Sequence, residues 1–173
     1  MRILFMLLIL CVGCNAQQKQ LQSRVHHKDF LKLVKNACVT KNDMDDMHFC
    51  FKNGTYQEKG VDEQGQPYHI EVNLLSPIVF TYFKPDTLEY AIAPMVYDGG
   101  GNGLIYQLLL FVHENNSALQ IGYASILEDG HLDSIRVSQD TVMVDMTNVS
   151  STEDGRETIS YVFRQNILSP INK

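Results

Sequence analysis

A mainly β fold is predicted, a curved antiparallel meander closed into a barrel-like or sandwich form with one short N-terminal helix against it. Three observations predict it. Apolar and polar residues alternate at period two from about residue 49 nearly to the end. The segments so patterned are joined by short polar runs, and a parallel pair would need a crossover of about a dozen residues or more. Only one earlier stretch carries a helical stripe.

That stretch comes first. Asp29 is placed to cap a short helix on which Phe30, Leu31, Leu33, Val34 and Cys38 form the apolar side. Lys28, Lys32 and Lys35 would also suit a membrane-surface helix, but the segment is short and the chain has no Trp. Phe49 to Lys52, Asn53-Gly54 and Thr55 to Lys59 then read as a hairpin around the strongest short turn signal. Tyr68, Ile70, Val72 and Leu74 alternate with His69, Glu71 and Asn73, and Ile78 to Phe83 forms a further strand. Leu88 to Tyr97 follows, with Pro94 marking it as an edge or bulged strand. Gly103 to His113 has Leu104, Tyr106, Leu108, Leu110 and Val112 on one face and Ile105, Leu109 and Phe111 on the other, the pattern of a central strand covered on both sides. Strands over 118–127, 132–137, 141–146 and 158–164 complete the series.

The chain has 173 residues, 45% hydrophobic and 20% charged, enough for one core and too apolar for a disordered protein. Residues 1–16 carry the pattern of an export signal: Met1-Arg2, the apolar run Ile3 to Val12, then small and polar residues. Ten residues make about 15 Å of helix, half a bilayer core. Val12-Gly13-Cys14 resembles the bacterial lipobox, which implies lipidation of Cys14 and membrane attachment through acyl chains. The departure is Cys11 where Leu is usual, and a cut after Ala16 would instead release a soluble form. Residues 17–27 read as a tether and 28–173 as one β-rich domain. In an oxidising compartment Cys38 and Cys50 are expected to pair as a disulfide.

The net charge is −6, and 61–173 hold fifteen Asp or Glu against five Lys or Arg. That excess argues against nucleic-acid binding and suggests a basic protein partner. The run Leu88–Met146 resembles a module of uncharacterised bacterial exported proteins and lipoproteins: the strand Ala91 to Tyr97, a glycine-rich turn, the strand Leu104 to Leu108, a hairpin over Val112 to Ile121, and the closing Val142-Met143-Val144-Asp145-Met146. The resemblance implies β architecture and an envelope location. Members often carry an acidic, glycine-containing loop before the first strand. Here Tyr82 to Glu89 supplies only Asp86 and Glu89 and no glycine, so no metal is carried over.

Candidate sites are few. The turn Asp98, Gly99, Gly100, Gly101, Asn102 and Gly103 could cradle an anion with its amides, or simply bend a wide hairpin. Asp43, Asp45, Asp46 and His48 could hold a cation or form a solvated loop. Neither Gly-x-Ser-x-Gly nor His-Glu-x-x-His occurs, and no catalytic residue or cofactor is assigned. Catalysis would need His69, His113 or His131 to meet a carboxylate in a cleft. Sequons at Asn53, Asn115 and Asn148 are little above chance for eleven Asn. The sequence therefore favours a non-enzymatic periplasmic protein that binds a protein partner or acts as an inhibitor or immunity-type protein, over a small enzyme acting on envelope polymers or a small-ligand carrier within a closed barrel.

Overall fold

The computed structural model describes residues 27–40, 42, 47–83, 88–100, 103–126, 130–148, 155–164 and 167–171. Residues 1–26, with Cys14 and most of the tether, lie outside them. Among the described residues the architecture is mainly β: one helix, α1 (27–34), and curled antiparallel sheets forming a half-barrel. No described helix is long and apolar enough to cross a membrane.

The larger sheet has the order β3 (Thr55–Val61), β4 (Pro67–Leu74), β6 (Tyr90–Asp98), β7 (Leu104–Glu114), β8 (Ser117–Ser125), with β5 (Val79–Thr81) also on β6. The smaller runs β12 (Ile167–Pro170), β11 (Arg156–Arg164), β10 (Thr141–Asn148), β9 (Gly130–Ser138). A ribbon of two residues a side pairs β1 (Cys38–Val39) with β2 (Phe49–Cys50), and the Cys38–Cys50 disulfide joins register partners across it.

β7 is central and covered on both faces, as its sequence requires. Leu108, Leu110 and Val112 pack toward the smaller sheet, against Val142, Val144 and Met146. Leu109 and Phe111 face the other way, under Phe30 and Val34 of α1 and Val39 and Phe49 of the ribbon. The turns have the chemistry their residues demand. Asn53 and Gly54 both have positive φ (57° and 89°), closing a two-residue hairpin with Lys52 N–H donating to Thr55 O at 2.8 Å. Asn115 and Asn116 do the same between β7 and β8.

Three expectations are corrected. Asp29 lies inside α1, since 27 and 28 are already helical, so it is not the cap. Cys38 belongs to β1, not to the helical stripe, because the chain turns after residue 34 and Phe51 N–H donates to Ala37 O at 2.9 Å. Pro94 lies inside β6 at a buried position, neither on an edge strand nor at a bulge. β4 pairs with β6 as far as Met95, and β5 takes over from Ile92. Pro94 falls in the gap between them, where its missing N–H interrupts no ladder and its carbonyl accepts from Leu75 N–H at 2.7 Å.

Candidate functional site

The first turn of α1 and the ends of β6 and β7 build a polar cluster into the apolar seam. Phe30 is fully buried and stacks on the His113 ring, with centroids 4.8 Å apart. One turn back, the His27 ring stacks on Phe80 at 5.0 Å. Between the two imidazoles sits Glu89, 8% exposed. His27 Nε2 lies 3.0 Å from Glu89 Oε1, within ion-pair range but out of line for a hydrogen bond, which leaves that oxygen without a hydrogen-bond partner. His113 Nδ1 lies 3.6 Å from Oε2, and its backbone N–H donates to Glu89 O at 2.9 Å. The Glu89 carboxyl thus lies beside an imidazole from α1 and another from β7, at the point where the helix meets the sheet.

Beside this cluster a groove of about 970 Å³ runs between α1 and β8. Lys32, Leu33 and Asn36 form one wall, Ala118, Leu119 and Gln120 the other, and His113 reaches its lining. Leu119 is 52% exposed. β8 is an edge strand, and Ile121 is an extra residue in it, because Leu110 pairs with Gly122 and Phe111 with Gln120. Beyond this bulge the strand is held to the smaller sheet, with Tyr161 Oη donating to Ser125 O at 2.6 Å. Before it, Ser117 to Gln120 border the groove. The opposite edge strand, β3, carries Glu58 and Lys59, whereas β8 has no charged residue to discourage strand pairing.

Among the described residues singled out by sequence, His113 meets a carboxylate, that of Glu89. His69 on β4 and His131 on β9 are exposed. Asp98, Gly99, Gly100 and Gly103 connect β6 to β7 as a hairpin, with Asp98 Oδ1 accepting from Gly100 N–H at 2.8 Å and Gly100 at φ 75°. Gly101 and Asn102 lie outside the described residues, as do Asp43, Asp45 and Asp46; His48 is exposed. Among the described residues no three of His, Cys, Asp and Glu are grouped to hold a metal ion. Asn53 and Asn115 are turn residues, and Asn148 ends β10.

Sequence reasoning missed Glu89 and His27. The available signal was a lone acid set between Leu88 and Tyr90, just before the apolar run Tyr90 to Tyr97. Comparisons with protein-family models, with curated proteins and with solved structures give no match.

Proposed function

We propose that this chain is an exported, non-catalytic binding module that takes an extended segment of a protein partner into the groove between α1 and β8. The observation that carries the reading is the uncharged edge Ser117–Leu119, with Leu119 exposed, along a groove of about 970 Å³. Strand addition would use the backbone for affinity, with Leu33 and Ala118 contacting side chains on the α1 face and Leu119, the register partner of Val112, those on the opposite face. The Cys38–Cys50 bridge supports export, since such bonds persist in oxidising compartments. On this reading Cys14 is the lipid acceptor and an acidic domain is presented in the envelope to a basic partner.

A photo-reactive residue at Leu119, with a second at Met143 on the outer face of β10, tests the binding reading in the native host. A discrete adduct from position 119 and none from 143 is expected; equal labelling from both refutes it. Mass spectrometry of the mature N-terminus tests export, and an intact Met1 on a reduced protein refutes it.

One observation favours a small enzyme as second reading: His113 contacts both Glu89 and the groove. Against it, Ser117, a hydroxyl residue lining the groove, donates its Oγ to Glu114 O at 2.7 Å and not to an imidazole.

A further inference from the structure

At the opposite corner of the same sheet face, four side chains from three strands come together. Tyr56 and Glu58 share a face of β3, Tyr56 is level with Val72 and then Tyr97 across the sheet, and Tyr68 pairs with Gly60. Tyr68 Oη donates to Glu58 Oε1 at 2.7 Å, and Tyr56 Oη donates to Glu58 Oε2 in a short hydrogen bond. Each carboxylate oxygen thus has a phenol donor. Those bonds hold the Glu58 carboxyl below its usual range and push Tyr56 up to about 12, so the acid is charged and the phenols neutral around pH 7.

Two further facts bear on what this group would receive. Among the described residues no Lys, Arg or His forms an ion pair with Glu58, so its charge is met only by neutral donors. Two of the rings also lie close to glycines. A Cβ at Gly60 would come within 2.7 Å of the Tyr68 ring, and one at Gly99 within 2.8 Å of Tyr97 Oη. A side chain at either position would push the ring aside, so these glycines let the phenols lie close to the backbone, and all four side chains of the group stay partly exposed. A fixed, partly exposed carboxylate beside partly exposed aromatic rings suits an organic cation, because ring faces carry the negative end of the quadrupole. A Ca²⁺ ion would need about six or more oxygen ligands, which one carboxylate and its phenols do not provide.

We infer that Glu58, with Tyr56, Tyr68 and Tyr97, is a receptor for an alkylammonium or guanidinium group carried on a Lys or Arg side chain of a protein partner. The site lies across the sheet from the groove and does not depend on it. The net charge of −6 would draw such a partner in.

The test is NMR of the whole domain with ¹³C-labelled tyrosine rings, titrated with Nα-acetyl-lysine methylamide, its arginine counterpart and the uncharged norleucine analogue. Ring signals of Tyr56, Tyr68 and Tyr97 should move with the two cations and not with norleucine. Glu58→Gln should weaken the response about tenfold, and Tyr68→Phe, which keeps the ring, by less. Amide spectra check that both variants stay folded. An equal response to norleucine, or unchanged affinity in Glu58→Gln, overturns the inference. A lysine-containing peptide should bind more tightly than the blocked amino acid; equal affinity overturns the polypeptide source in favour of a small amine. Cross-linking at Leu119 should persist in Glu58→Gln, which keeps failure here separate from failure of the groove reading.

Discussion

Replacing Phe30 by Ala would test whether α1 is part of the core or an appendage. The ring is fully buried and touches the rings of His113 and Phe80, at 4.8 and 5.5 Å between centroids. Emptying such a site costs about 3–5 kcal/mol, a large share of the roughly 5–15 kcal/mol that holds a domain folded. The loss can be smaller if α1 detaches on its own, because the penalty is then capped at the free energy of that local opening. Equilibrium denaturation combined with amide exchange separates the two cases. In the coupled case the midpoint falls and protection drops at Leu109 and Phe111 as well as in α1. In the detached case only α1 loses protection while Val142, Val144 and Met146 keep theirs. Leu33→Ala, half-buried on the same helix, should cost only about 1 kcal/mol. A Phe30→Ala variant losing under about 1 kcal/mol with α1 protection unchanged would refute the packing described here.

Three more outcomes follow from the same geometry. Replacing Cys38 and Cys50 together by Ala should lower stability by about 3 kcal/mol, the chain-entropy estimate for residues 12 apart, read as a midpoint shift at constant m-value. Hydrogen bonds from Ser134, Thr158 and Arg136 hold the Asp145 carboxyl at about 2, below its usual 3.8. Its folded value is the depressed one, so its contribution is complete above about pH 4 and is lost as pH falls through about 2; with solvent at the site it is worth roughly 1 kcal/mol. The gap between wild type and Asp145→Asn should therefore close over that window in acid denaturation. Gly100→Ala should cost about 1 kcal/mol or more in thermal unfolding, because φ is 75° and the new Cβ would lie 3.3 Å from His69 O, and it should exceed the cost of Gly65→Ala, where φ is 78° but the space is open.

Long strands and tight turns were legible because each rests on local chemistry: period-two alternation over β4 and β7, and Asn or Gly at positions needing positive φ. What escaped depended on distant partners. β1 is two residues long and β12 four, too short for any period to show. Pro94 misled because a proline is tolerated wherever no ladder bond is interrupted, and that gap exists only because β5 replaces β4 beside β6. His113 was recognisable as a candidate, but its partner Glu89 precedes the neighbouring strand and His27 comes from a segment read as tether. The Tyr56, Glu58, Tyr68 and Tyr97 group needs the register of three strands before its members share a corner.

The position of both candidate sites follows from how little covers this face of the larger sheet. β7 has eleven residues, about 36 Å of strand, whereas the eight residues of α1 make about 12 Å of helix, and the ribbon beside it has two residues a side. Such a cover seals the middle, where Ala91, Ala93, Leu109 and Phe111 are buried, and leaves Leu119 exposed and Glu58 partly exposed on the two edge strands. At an edge, residue choice is released from packing: a Leu at 119 or a carboxylate at 58 is not something the core demands. Substituting Leu119 by Ser should then leave stability within about 0.5 kcal/mol, the usual range for surface changes, while abolishing capture of the partner segment. If stability and capture fell together, Leu119 would belong to the core after all, and the groove would be a seam of the fold, not a place for a second chain.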